Sequence, residues 1–165
     1  MIYVIDHKDS FTHNVVHQLS LFDEVECDNY NNVDKIKLNK AKVIVFSPGP
    51  GNPKNYPLTS KIYKQFKGKK KIIGICLGFQ QILFCEGAQI VEQNKIYHGY
   101  QSSIKVNSKN SLFKKNQIFK VGRYHSLKLK EPFKIKDFEI TMRCLESKVA
   151  TVSYTHLTLP TTGSV

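Results

Sequence analysis

The chain has little of what several protein classes require. No apolar run approaches the roughly 18 residues needed to span a membrane. The start, Met1-Ile2-Tyr3-Val4-Ile5-Asp6, carries neither the basic region nor the small-residue cleavage site of a leader. A cytoplasmic protein with no membrane partner is therefore expected. Cysteine is scarce: Cys27, Cys76, Cys85 and Cys144 follow no regular framework and read as thiols rather than disulfides. Acid is short as well, with 13 Asp and Glu against 25 Lys and Arg, a net charge of +12 that raises the question of nucleic acid. Arginine answers it. Only Arg123 and Arg143 carry the guanidinium fork on which base and phosphate recognition leans. The lysines are scattered, except for Lys67-Gly68-Lys69-Lys70-Lys71, where a helix is expected to turn into a strand. They read as a solvated surface, and no nucleic-acid partner is expected.

What is present fits one ordinary globular domain. The 165 residues are 41% hydrophobic and 23% charged, enough for one core and too few for two typical domains. Residues 1–5 form an apolar strand that ends in the polar turn His7-Lys8-Asp9-Ser10. Asp9 or Ser10 can cap a helix whose apolar positions Phe11, Val15, Leu19 and Phe22 recur at helical spacing. Glu24-Val25-Glu26-Cys27 is a second strand, followed by an Asn- and Asp-rich turn and a short helical segment near 33–39. The next strand, Ala41-Lys42-Val43-Ile44-Val45-Phe46, stops at the rigid loop Ser47-Pro48-Gly49-Pro50-Gly51. Strands alternating with helices predict a parallel sheet covered on both faces.

Residues 71–81 organise the rest. Ile72-Ile73-Gly74-Ile75 reads as a buried central strand, and a helix is expected over 80–88. Cys76 falls at the break, flanked by Gly74 and Gly78, as in the sharp turn that lifts a nucleophile out of a sheet. A thiol at that helix start is expected to favour the thiolate, and the same N–H groups can bind an oxyanion. The plain alternative for any cysteine is a small buried hydrophobe, and Cys27, Cys85 and Cys144 take that reading. In parallel sheets functional groups gather at the carboxyl ends of the strands, so residues 6–12, 47–53 and 76–80 should meet along one edge. The alternative for the loop 48–51 is a stiff turn without chemistry. It lacks the Gly-Lys-Ser/Thr of a nucleotide-binding loop.

Beyond the helix the pattern changes to strands at residues 102–106, 117–121 and 138–142, with His98-Gly99 and Arg123-Tyr124-His125-Ser126-Leu127 between them. His7, His13 and His17 read as solvated or structural. His125 stands in a denser cluster of hydrogen-bonding groups.

Asp6-x-x-Asp9-Ser10-Phe11-Thr12-x-Asn14, Ser47-Pro48-Gly49-Pro50-Gly51, Gly74-Ile75-Cys76-Leu77-Gly78-Phe79-Gln80, His98-Gly99 and Arg123-Tyr124-His125-Ser126-Leu127 occur in one order over residues 1–150. In that order and spacing they resemble class I glutamine amidotransferases, in particular the subfamily of amidotransferase subunits serving anthranilate or aminodeoxychorismate synthesis. The resemblance implies a three-layer α/β fold with a mostly parallel sheet and a smaller antiparallel portion, incomplete at the C-terminus. It implies Cys76 as nucleophile, the backbone N–H groups of Gly51 and Leu77 as oxyanion hole, and Gly49, Pro50, Gly51, Gln80, Ser126 and Leu127 as glutamine-binding residues. Its implied partner is a chorismate-binding synthase subunit, and it implies no cofactor or metal of the chain's own. Phe79 stands where the family has His, and is expected to leave activity intact.

The family completes its triad with a His-Pro-Glu sequence near the C-terminus. No His-x-Glu follows Ala150 here, and His156 is followed by no acid. The Thr-rich segment 152–165 reads as an appended, non-native tail behind an amidotransferase domain over 1–151, with the natural end lost, and without the triad base and acid the chain as it stands is expected to be an impaired glutaminase. A natural but catalytically altered tail is the alternative, and would make the chain a non-catalytic partner-binding subunit.

Overall fold

The computed structural model describes residues 1–132 and 138–155. The chain divides into two compact units, the first Met1–Gly87 and the second beginning at Ala88.

The first unit is a parallel sheet with helices on both faces. Its strands are β1 (Ile2–Asp6), β2 (Val25–Asn29), β3 (Val43–Phe46) and β4 (Lys71–Gly74), in the order β2-β1-β3-β4. Ile2, Val4 and Val45 face Val15 of helix α1 (Thr12–Ser20), with Leu19, Val25 and Cys27 packed around them. Alternation along a strand sends Tyr3 to the opposite face. There its hydroxyl donates to Asp28 at 2.5 Å and accepts from the Asp34 N–H at 2.9 Å. Asp34 in turn caps helix α2 (Lys35–Lys40) through the N–H groups of Ile36 and Lys37. Helix α3 (Pro57–Phe66) starts with a proline at its first position and buries Thr59, Tyr63 and Phe66. Helix α4 (Leu77–Cys85) packs on β3 and β4 and beside α3, and is buried from Leu77 to Leu83 except at Phe79.

Two local readings change. Helix α1 starts at Thr12; Asp9 closes a turn just before it, its carboxylate accepting from the Phe11 N–H at 2.8 Å, and Phe11 and Phe22 are exposed. Strand β4 is the outer strand of this sheet among the described residues, and Ile73 is 47% exposed. A short β-branched run specifies a strand and one packed face, but nothing within it specifies a neighbour on each side.

The second unit is an antiparallel sheet of β5 (Ile90–Val106), β6 (Ile118–Leu129), β7 (Phe138–Cys144) and β8 (Ala150–Thr155), in the order β6-β5-β7-β8. It has as many strands as the parallel sheet. Ile104, Val106, Met142 and Cys144 form its buried cluster, with Phe119 and Val121 against it. The motifs expected between strands lie inside them: His98 pairs with Tyr124 and Tyr97 with His125 along the β5–β6 ladder. Long two-stranded pairing carries the polar stretch 92–101 into the sheet, which local propensity could not indicate. Residues 152–155, the first of the segment expected to be a tail, pair with β7. His156 and the rest of that segment lie outside the described residues.

Candidate active site

Cys76 stands between β4 and α4 with φ 53° and ψ −106°, a conformation that non-glycine residues seldom hold without support. The support is visible on both sides. The Ile75 N–H donates to the Phe46 carbonyl at 3.0 Å, and the Gly78 N–H to the carbonyls of Ile75 and Ser47 at 2.9 and 3.2 Å. The two glycines are required by space. A Cβ on Gly78 would lie 2.1 Å from the Phe46 carbonyl oxygen, and one on Gly74 would lie 2.4 Å from the Gly78 carbonyl. Strand β3 and the elbow are thus in backbone contact.

The loop 47–51 is fixed to the same place. A Cβ on Gly49 would meet Leu77 Cδ2 and His7 Cβ, each at 2.5 Å, so this loop touches both the first residue of α4 and the segment after β1. His7 is fully buried. Its N–H donates to Ser47 Oγ at 2.9 Å, and its ring nitrogens lie 3.3 Å from Ser47 Oγ and 3.0 Å from Thr59 Oγ1. Ser47 Oγ donates to the Pro48 carbonyl at 2.6 Å, and the Tyr56 hydroxyl to the Pro50 carbonyl at 2.7 Å. Tyr56 also stands edge-on to the His7 ring, 4.8 Å between centroids. Gly51 takes φ +74°, which glycine adopts without strain, and the reciprocal Asn52–Asn55 cap fixes the chain just beyond it.

Burial pushes the Cys76 thiol up from its ordinary value, and Asp9 adds to this; a backbone hydrogen bond with Leu77 acts in the opposite direction and is outweighed. Burial thus works against the thiolate that the helix start was expected to favour. His7 is pushed down to about 4, by burial first, against its hydrogen bond with Ser47 and the charge of Asp6. It is a neutral ring committed to two hydroxyls. His13 and His17 are exposed. All four cysteines are thiols; Cys144 is buried, and the others are half-buried. Among the described residues, no group of His, Cys, Asp and Glu is arranged to hold a metal ion.

The structure therefore brings Gly49, Leu77 and the Cys76 elbow together, with Pro50 and Gly51 exposed in the same loop and Gln80 buried on the first turn of α4, its N–H on the Cys76 carbonyl at 3.1 Å. Ser126 and Leu127 lie on β6 of the second unit, Ser126 exposed and Leu127 half-buried. Sequence reasoning missed the anchoring by His7, Thr59 and Tyr56. A histidine directly after a buried strand, two residues before a turn-forming Asp, was the available signal. It also missed Gln93 and the burial of Arg123, which it named only as part of the motif 123–127.

A strained residue at a strand-to-helix elbow, backed by a Pro-Gly loop at the carboxyl end of a neighbouring parallel strand, defines an α/β protein of the nucleophile-elbow kind. The family is narrower. Residues 3–163 match the model of the class-I glutamine amidotransferases, and the chain belongs to that family. It is 36% identical over 149 residues to anthranilate synthase component 2 of Lactococcus lactis, covering 86% of this chain and 72% of that protein. It is 34% identical over 153 residues to aminodeoxychorismate synthase component 2 of Klebsiella aerogenes, covering 90% and 81%. It is 30% identical over 160 residues to the aminodeoxychorismate/anthranilate synthase component 2 of Bacillus subtilis, covering 95% and 82%. In fold it is similar to a glutamine amidotransferase from Thermotoga maritima, with TM-score 0.67 at 14% identity over 90% of this chain and 68% of that one. No helix among the described residues is long and apolar enough to cross a membrane.

Proposed function

We propose that the chain hydrolyses glutamine to glutamate and supplies the ammonia to a chorismate-using synthase subunit, for anthranilate or 4-amino-4-deoxychorismate. The observation that carries this is the strained Cys76 elbow tied to the loop 47–51, in a chain whose relatives are named for those two synthases. Cys76 Sγ attacks the side-chain amide carbon of glutamine, and the thiol proton passes to a base, the role that the resemblance gives to the histidine of a His-Pro-Glu sequence, which does not follow Ala150 here. The N–H groups of Gly51 and Leu77 hold the resulting oxyanion. Ammonia leaves with a proton as the carbonyl re-forms, and water then cleaves the glutamyl thioester. Gly49, Pro50, Gly51 and Gln80 bind the substrate glutamine. Ser126 and Leu127 take the same role through the motif 123–127. Burial raises the Cys76 thiol from its ordinary value, which adds to the need for a base that takes its proton as it attacks.

The test is a diazoketone analogue of glutamine, added to the chain with its synthase partner. The expected result is one equivalent of label on Cys76, blocked by glutamine and absent in Cys76→Ser, which also lowers glutaminase activity by roughly a thousandfold or more. Absence of label on Cys76 with the partner present sinks this reading, and leaves a non-catalytic partner-binding subunit.

A further inference from the structure

The glutamine-binding role of Ser126 and Leu127 needs β6 to hold its backbone in place where the β5–β6 ladder is interrupted. Glu92 pairs with Leu127 and Tyr97 with His125, so residues 93–96 of β5 lie opposite Ser126 alone. A bulge of this size takes the usual ladder geometry away from the stretch that flanks Ser126. The side chain of Gln93 occupies that place. Its Nε2 donates to the Leu127 carbonyl at 3.0 Å and to the His125 carbonyl at 3.4 Å, bracketing Ser126 on both sides.

The direction of that amide is set from behind. Arg123 is 1% exposed, and its Nη2 donates to Gln93 Oε1 at 3.1 Å. Its Nη1 donates to Ser147 Oγ at 3.0 Å and to Cys144 Sγ at 3.3 Å, anchoring the guanidinium to the end of β7 and the turn after it. A guanidinium has only donors, so Oε1 must face it and Nε2 must face the carbonyls. Gln93 is itself buried, and each of its polar atoms is matched.

Resting on the amidotransferase reading, we infer that Gln93 is a positioning residue for glutamine, its amide clamping the backbone on both sides of Ser126 with Arg123 fixing the amide's orientation. It touches no reacting atom. Its loss weakens glutamine binding and spares the chemistry at Cys76.

Gln93→Glu separates this from a packing role. The carboxylate is of equal size and keeps a partner for Arg123, but it replaces the donor with an acceptor aimed at two carbonyls. The experiment measures the half-saturating concentration and maximal rate of Cys76 labelling by the diazoketone, with the synthase partner, in wild type and Gln93→Glu. The expected result is a half-saturating concentration raised roughly three- to tenfold, with the maximal rate within about twofold. Alkylation of Cys76 by iodoacetamide, which needs no glutamine site, stays unchanged. An unchanged half-saturating concentration in Gln93→Glu, with saturable labelling of the wild type, overturns the inference and leaves the amidotransferase reading standing. Wild type that takes no glutamine-protected label overturns that reading, and the inference with it. Should Gln93→Glu not fold, Gln93→Met, of similar shape and without the donor, carries the same expectation and the same contrary outcome.

Discussion

In the first unit the groups around Cys76 sit at the ends of short strands and are held by neighbours close behind them: Ser47 and Phe46 from β3, His7 just past β1, Gly78 two residues on. In the second, the segment 125–127 is held in mid-strand by Gln93 of β5, itself held by Arg123, which is anchored on Cys144 and Ser147. At the elbow itself the first arrangement is steric and backbone-made, so it depends on glycines with no side chain to clash, while the side chains of Ser47, His7 and Tyr56 tie the loop beside it. The second is made by side chains across a bulge, so it depends on donors facing acceptors. Damage to the two should therefore look different.

The largest effect is expected where size is the constraint. Gly78→Ala puts a Cβ 2.1 Å from the Phe46 carbonyl oxygen, a backbone atom that cannot move without shifting β3. Overpacking of this kind should cost at least about 3 kcal/mol and displace the Cys76 elbow. Urea unfolding of the variant checks the first, and iodoacetamide reactivity of Cys76 the second. A variant as stable as wild type would show that the elbow is soft.

The next test uses pH on the same unit. The folded state holds His7 near 4, below its ordinary 6.5, so the unfolded chain takes up a proton on this residue first as pH falls. Stability from the neutral ring is complete above about pH 7 and is lost as pH falls toward the folded value, roughly 2 kcal/mol of it between about pH 8 and about pH 5. The comparison is with His7→Asn, which lacks this titration. His125 is also held below its ordinary value, by burial and then by Arg123, but it is present in both proteins and cancels. Equal pH slopes for the two would mean that His7 is not held neutral by its burial.

The contrast explains what could be read from the chain beforehand. Strands β1 and β3, helices α1 and α2, and the placing of Cys76 at a break follow from local apolar patterns ended by Asp, Pro or Gly, whereas α4, expected over 80–88, starts at Leu77 directly after the elbow and ends at Cys85. These signals are local, because a parallel strand buried on its faces must be apolar and its functional loop must begin where the apolar run stops. Strands β5 and β6 gave a partial signal. Only residues 102–106 and 117–121 have the pattern, while Glu92, Tyr97 and His98 of β5 and Arg123-Tyr124-His125 of β6 are held as strand by their partners, and residues 93–96 bulge out of the ladder between them. A buried Arg123 solvated by Gln93, Ser147 and a thiol has no sequence signature, since its partners lie 21 to 30 residues away. The rise of the Cys76 thiol has a related cause. The helix start is visible in sequence, whereas the burial that outweighs it is a property of the packed unit.

The smallest expected effect is the counterpart of the largest. Gly122 lies on β6 beside Arg123, opposite Gln101, and a Cβ built on it meets nothing within 4 Å. Unlike Gly51 or Gly99 it has no positive φ, so alanine meets neither a clash nor backbone strain. Gly122→Ala should leave stability between unchanged and about 1 kcal/mol higher, because the unfolded chain loses freedom it would otherwise regain. If the variant instead unfolds as readily as Gly78→Ala, close packing governs β6 as it governs the elbow, and the division between a steric site and a hydrogen-bonded one fails. If it holds, the second unit tolerates added volume next to Arg123 and remains sensitive at Gln93, where a change of one atom from donor to acceptor should be felt.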